Sequence, residues 1–132
     1  MISECVVFAG SNIKPEENYE KVMDFFSKTG DFEKSTKPLY TKPVEKKGGR
    51  DYLNWALLFF TEKSFEEFRE YLKSVEKEFG RIKTEDKFAP RTIDLDIIVW
   101  NKKICSDDFR HRDFVKKAVY EIIPRGSIDA AG

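Results

Sequence analysis

The chain has 132 residues, of which 40% are hydrophobic and 36% charged, and its 24 basic and 24 acidic side chains give a formal net charge of zero. That length suits one domain with its own hydrophobic core, over residues 1–132. A balanced charge disfavours a general nucleic-acid partner. No apolar stretch has the length of a membrane span, and no signal peptide is recognisable. We therefore expect a cytoplasmic monomer that binds neither nucleic acid nor membrane.

The first third of the chain predicts a strand, a helix and a second strand. The apolar run over residues 5–9 predicts a buried strand that ends at the turn Gly10-Ser11-Asn12. Pro15 is typical of the first residue of a helix, and Gly30 is expected to be its C-cap. Weak alternation over residues 32–40 indicates a strand.

The middle of the chain predicts a mobile loop, a central strand and a second helix. Residues 42–50 are polar and contain two adjacent glycines, whereas residues 52–61 are strongly apolar. Ser64 followed by Glu67 is typical of a capping box. The apolar face of the helix that follows comprises Phe65, Phe68, Tyr71, Leu72, Val75 and Phe79.

The last third begins with a charged loop over residues 81–91, and a strand follows in which Ile93, Leu95, Ile97 and Val99 are expected to share one face. A short helix over residues 114–120 is predicted to end near Pro124. The order β-α-β-β-α-β with a helical extension predicts an α+β, ferredoxin-like antiparallel sheet with two helices on one face. Many unrelated functions use that layout.

Asp94 and Asp96 are the most informative side chains of the sequence. Two residues apart on a strand, they point to the same face, where two carboxylates repel each other unless a cation lies between them. Magnesium prefers oxygen ligands and is often held by one or two carboxylates together with substrate phosphates. A solvated outer face is the alternative interpretation. The loop before the strand carries basic residues suited to phosphates, namely Arg81, Lys83, Lys87 and Arg91.

Two further segments have both a functional and a structural interpretation. Gly10-Ser11-Asn12 either lets a ligand approach the backbone or forms a plain capped turn. Tyr52 and Asn54 share a strand face, so they either bind a flat heterocycle or belong to an aromatic core with a satisfied amide. Cys5 and Cys105 are expected to be free thiols that act as small apolar residues.

These segments together resemble the 6-hydroxymethyl-7,8-dihydropterin pyrophosphokinase family. The resemblance runs from Phe8 to about Ile98, and its most specific part is Lys87-Phe88-Ala89-Pro90-Arg91-Thr92-Ile93-Asp94-Leu95-Asp96-Ile97-Ile98. Order and spacing are supported by Phe8-Ala9-Gly10-Ser11-Asn12, Tyr40-Thr41-Lys42-Pro43-Val44, Asp51-Tyr52-Leu53-Asn54, Val75-Glu76 and Gly80-Arg81.

The resemblance implies transfer of pyrophosphate from ATP to the hydroxymethyl-dihydropterin, with AMP as the second product, in folate biosynthesis. It implies that Asp94 and Asp96 bind two magnesium ions, and that Arg91 and Arg81 act with them in catalysis. The residues implied in ATP binding are Glu76, Lys83, Lys87, Arg91, Ile97 and Arg112. The residues implied in pterin binding are Thr41, Pro43, Val44, Tyr52, Asn54 and Phe114.

The sequence also departs from the family pattern. The stretch between the acidic strand and Arg112 is short and lacks a Pro-His segment, Glu45 replaces a usual Gly, and Lys83 replaces a common Arg that would bind phosphate through two nitrogens. An active pyrophosphokinase is therefore one hypothesis, and a non-catalytic relative that binds a nucleotide or pterin as a sensor or partner module is a second. A ferredoxin-like nucleic-acid-binding domain is a third, which the neutral charge and the acidic face disfavour.

Overall fold

The computed structural model describes residues 1–41, 51–79, 93–124 and 128. Its strands are β1 (Ser3–Ser11), β2 (Phe32–Ser35), β3 (Leu39–Thr41), β4 (Tyr52–Thr61), β5 (Asp94–Trp100) and β6 (Lys103–Ile104). Its helices are α1 (Pro15–Ser27), α2 (Phe65–Glu78), α3 (Asp108–His111) and α4 (Asp113–Ile122). Within these ranges, no helix has the length and apolar character needed to cross a membrane.

The strands form one sheet in the order β2-β4-β1-β5-β6, and β3 also pairs with β4. Every strand pair between described residues is antiparallel. The antiparallel sheet and its helices confirm the predicted α+β class and agree with a ferredoxin-like layout. The central pair, β1 with β4, consists of apolar strands that are buried along almost their whole length.

The helices cover both faces of the sheet. On one face, Val22 and Phe26 of α1 and Phe68 and Leu72 of α2 pack against alternate residues of β1 and β4. On the other face, the apolar residues of α3 and α4 pack against the remaining alternate residues of the same strands. The predicted helical extension is therefore a structural layer with its own buried core, and it covers the face opposite to α1 and α2.

The capping box at the start of α2 is confirmed. The Ser64 hydroxyl accepts the backbone N–H of Glu67 at 3.2 Å, and the Glu67 carboxylate accepts the backbone N–H of Ser64 at 2.9 Å. Pro15 is the first residue of α1, as predicted, but the C-cap is Lys28 instead of Gly30. Gly30 does not adopt the positive φ that would favour glycine.

Two predicted strand boundaries are wrong. β1 continues through Ser11, so Gly10 and Ser11 pair with β4 where a turn was expected. The predicted strand over residues 32–40 is two short strands, because Pro38 lacks an N–H and the Thr36 hydroxyl replaces a backbone carbonyl as the acceptor of one N–H of β4. The N–H of Ala56 donates to the Thr36 hydroxyl at 2.9 Å, and the N–H of Thr36 donates to the Ala56 carbonyl at 2.9 Å.

The prediction that Val99 shares a face with Leu95 is also wrong. The pairing of β5 with β1 shifts register where Val7 opposes Ile97 and Val6 opposes Val99, so Ile98 is an extra residue. Such a bulge reverses the alternation of side chains beyond it. Val99 consequently joins the core beneath α4, whereas Leu95 belongs to the core beneath α1 and α2.

Candidate active site

Asn54, Asp94 and Asp96 lie on the face of the sheet that α4 covers. Gly10 in β1 lies directly between Asn54 of β4 and Asp94 of β5. Two residues earlier in β1, Phe8 lies between Ala56 and Asp96. Because side chains alternate across a strand, Asn54, Asp94 and Asp96 all point to the face that carries Phe8. The two aspartates therefore lie side by side, with Cα atoms roughly 7 Å apart from the rise per residue of a strand.

Gly10 leaves room above β1 for the side chains of Asn54 and Tyr52. A Cβ atom at this position would lie 3.0 Å from Asn54 Oδ1 and 3.5 Å from Tyr52 Cδ1. Its φ is not positive, so the requirement for glycine is one of space. For the Gly10-Ser11-Asn12 segment, the structure shows no turn at Gly10 and Ser11, which belong to β1: Ser11 Oγ donates to the Ile13 carbonyl, and the N-cap of α1 is Lys14, whose side chain makes no capping bond.

A narrow pocket of about 40 Å³ contains three of the residues implied in pterin binding, which are Thr41, Asn54 and Phe114. Its other described lining residues are Phe8, Thr36, Lys37, Leu39, Lys117, Ala118 and Glu121. The side-chain amide of Asn54, which is 9% exposed, donates to the hydroxyl of Thr41. Tyr52 lies beside Gly10 on the same face. Pro43 and Val44 fall in the loop outside the described ranges.

A second pocket of about 360 Å³ lies between α2 and β5, and it contains Glu76 and Ile97, which were predicted to bind ATP, together with Asp96. Its other described lining residues are Phe65, Arg69, Leu72, Lys73, Leu95, Cys105, Ser106 and Asp108. Asp96 thus belongs both to the acidic pair and to the wall of this larger pocket. The predicted phosphate-binding residues Arg81, Lys83, Lys87 and Arg91 lie outside the part of the chain that the structure describes.

Glu76 has a structural role that the sequence analysis missed. Its side chain is 4% exposed, and its Oε2 atom accepts the backbone N–H of Leu95 at 2.7 Å. Leu95 stands between Asp94 and Asp96, so this hydrogen bond ties the acidic segment of β5 to α2. The signal was present in the sequence, because Glu76 follows Leu72 by four residues and therefore lies on the apolar face of the helix.

Arg112 is not brought into either of these two pockets. Its Nε atom donates to Asp108 Oδ1 at 3.0 Å, one helical turn earlier, in a partly exposed ion pair. Arg112 precedes α4 by one residue and Phe114 by two, so it lies at the edge of the candidate site.

The cysteines are free thiols, as expected, but only Cys5 is buried, whereas Cys105 is exposed and lines the larger pocket. Partial desolvation raises the pKa of the Cys105 thiol above its ordinary value, although a backbone hydrogen bond at Trp100 opposes this change. A thiol with a raised pKa is a poor nucleophile near neutral pH. Among the described residues, no three His, Cys, Asp or Glu side chains cluster in a way that could hold a metal ion.

The chain is similar in sequence to known proteins. A family model described as 7,8-dihydro-6-hydroxymethylpterin-pyrophosphokinase matches residues 6–124. A curated relative, the folate synthesis bifunctional protein of Arabidopsis thaliana, is 33% identical in a 107-residue alignment that covers 79% of this chain. The chain spans 22% of the length of that relative.

Proposed function

Because the chain belongs to the 7,8-dihydro-6-hydroxymethylpterin-pyrophosphokinase family, we propose that it is an active enzyme that uses ATP and magnesium. Family membership and the folate-synthesis relative support pyrophosphate transfer in folate biosynthesis. The observation that carries the proposal is the row Asn54–Gly10–Asp94, which puts an amide suited to a heterocycle beside a carboxylate suited to a metal ion. We propose that the enzyme is a cytoplasmic monomer.

The pterin is proposed to bind in the pocket of Thr41, Asn54 and Phe114. Asn54 offers an amide that both donates and accepts hydrogen bonds, and its geometry is restrained by its bond to Thr41. Phe114 offers an aromatic face for stacking, and Tyr52 stands on the other side of Asn54 along the same strand face. Pro43 and Val44 are proposed to complete this subsite.

ATP is proposed to bind in the pocket of about 360 Å³ between α2 and β5, where Glu76 and Ile97 form part of the wall. Asp96 belongs both to the wall of this pocket and to the acidic pair. This supports the proposed ATP site, because a triphosphate bound at Asp96 would lie next to the pterin. Lys83 and Lys87, together with Arg81 and Arg91, are proposed to bind the phosphates, and Arg112 is proposed to reach them after its bond to Asp108 breaks.

Asp94 and Asp96 fit magnesium, since they supply two hard oxygen donors on one face and leave further coordination positions for phosphate oxygens and water. Two bound ions would neutralise charge on the transferring group. The pterin hydroxyl oxygen forms a bond to the β-phosphorus of ATP, the bond between that phosphorus and the oxygen bridging it to the α-phosphate breaks, and AMP leaves. The hydroxyl proton goes to solvent. Since this transfer depends on positioning and charge, Asn54, Asp94 and Asp96 act by holding the reactants in line.

The test is AMP formation by the purified protein mixed with ATP, magnesium and 6-hydroxymethyl-7,8-dihydropterin. We expect AMP from the unmodified protein and a loss of at least about a hundredfold in Asp96→Asn, a size typical for loss of charge stabilisation at a transferring group. Asp24→Asn is the matched control, because Asp24 is an exposed carboxylate of α1 that pairs with Lys28. No AMP from the unmodified protein, or equal turnover in Asp96→Asn, would contradict the proposal.

A non-catalytic relative that binds nucleotide or pterin remains the second candidate. The observation in its favour is that Arg112 bonds Asp108 and lines neither pocket. Titration calorimetry distinguishes the two, because binding of pterin and ATP without any AMP formation supports the second.

A further inference from the structure

Phe8 is an aromatic residue on the site face of β1 that none of the implied roles includes. It lies two residues before Gly10, between Ala56 and Asp96, and is partly buried. On the β5 side, Phe8 therefore lies beside Asp96 of the acidic pair. On the β4 side, Asn54 is two residues away from Ala56, the direct neighbour of Phe8.

The Phe8 ring packs against Phe114 of α4. The two ring centroids are 5.8 Å apart and the planes are tilted by 43°. That separation is within the range of favourable aromatic pairs. Both rings line the narrow pocket that also contains Thr41 and Asn54. The contact thus joins the central strand of the sheet to the helix at the entrance of the pterin subsite.

Phe114 needs such a partner, because it is only the second residue of α4. The buried anchors of the helix, Val115, Val119 and Ile122, fix its axis against the sheet. They do not fix the rotation of the Phe114 side chain about its own bonds, which depends on the groups that the ring touches. Among the described residues, Phe8 is the aromatic side chain that packs against the Phe114 ring.

We propose that Phe8 is a positioning residue that holds the Phe114 ring in the orientation in which it stacks on the pterin. The inference rests on the proposed function, since it concerns the same pterin subsite. Phe8 therefore contributes to affinity for the pterin, and not for the nucleotide, by acting through the Phe114 ring.

The test is a double-mutant cycle on pterin affinity. Phe8→Leu, Phe114→Leu and the double variant are titrated with 6-hydroxymethylpterin in the presence of magnesium and a non-hydrolysable ATP analogue. Loss of one aromatic pair is expected to weaken pterin binding about fivefold in Phe8→Leu. The double variant should bind no more weakly than Phe114→Leu alone, because the residue through which Phe8 acts is already absent. Affinity for the ATP analogue should be unchanged.

Phe109→Leu is the matched control for a general effect on the core beneath α4. Phe109 is buried in the same core and pairs with Tyr120 at 5.7 Å, but it lines neither pocket. Equal weakening of pterin binding in Phe109→Leu would overturn the inference, as would additive losses in the double variant. If the unmodified protein binds pterin without forming AMP, the proposed enzyme activity fails while the cycle still decides the role of Phe8. If it binds no pterin, both fail.

Discussion

Gly10→Ala tests whether the position of the Asn54 side chain over Gly10 serves the ligand. The new Cβ atom would lie 3.0 Å from Asn54 Oδ1, which is 0.4 Å short of the 3.4 Å at which ordinary contact begins. Asn54 has little freedom to move, because its amide donates to Thr41. We therefore expect the Asn54 amide to be displaced, at a cost of about 1–3 kcal/mol in the free energy of unfolding as in other overpacked sites.

The same displacement should weaken pterin binding. Loss of one well-placed hydrogen bond weakens the binding free energy by about 0.5–1.5 kcal/mol, so the dissociation constant for 6-hydroxymethylpterin should rise up to about tenfold. Titration calorimetry measures this constant, and urea unfolding measures the stability. Gly30→Ala is the matched control: nothing lies within 4 Å of its added Cβ, and neither glycine has a positive φ. Unchanged pterin affinity in Gly10→Ala would refute the assignment of this cleft.

Two further predictions concern α2. Glu76→Ala leaves the buried N–H of Leu95 without its acceptor and should lower the free energy of unfolding by about 1–3 kcal/mol. Glu76→Gln keeps an acceptor oxygen, so its loss of stability should be smaller. Equal losses of the two variants in urea unfolding would contradict this account. The hydrogen bonds from the backbone and the hydroxyl of Ser64 lower the pKa of Glu67 in the folded protein. The ionised carboxylate therefore stabilises the fold at a pH above its ordinary pKa. This stabilisation is lost as the pH falls through the lowered pKa of the folded protein. Unfolding measured from pH 7 to 3 should show a smaller acid-side loss in Glu67→Gln, and identical pH profiles would exclude the effect.

Much of the fold could be predicted because local signals agree with the tertiary structure. The period of apolar residues and the Ser64–Glu67 capping box locate α2, and the continuous apolar run locates β4. The errors arise where a strand end or a strand register depends on a partner that is distant in the sequence. Thr36 ends β2 by bonding Ala56, a residue twenty positions away. The bulge at Ile98 depends on how β5 pairs with β1, which alternation within β5 does not reveal.

Prediction of the candidate site from the sequence has a similar limit, as the acidic pair shows. Spacing within one strand predicts that Asp94 and Asp96 share a face, but Asn54 precedes Asp94 by forty positions in the chain. Only the register of β1 with both neighbouring strands brings Asp94 and Asn54 to either side of Gly10. Register follows from the packing of entire faces, so short motifs indicate the kind of residue at a site better than the distances between residues.

Glu76 illustrates how one residue can satisfy two requirements that a sequence pattern does not separate. Family resemblance places it near the nucleotide, and the structure places it in the wall of the larger pocket. Its carboxylate nevertheless bonds the backbone between the two aspartates, so any change at this position also changes how β5 is held. A loss of ATP affinity in Glu76→Ala would therefore not by itself show contact with ATP. Comparison with Glu76→Gln separates the two effects, because the amide keeps the bond to Leu95 but removes the charge that a nucleotide would sense.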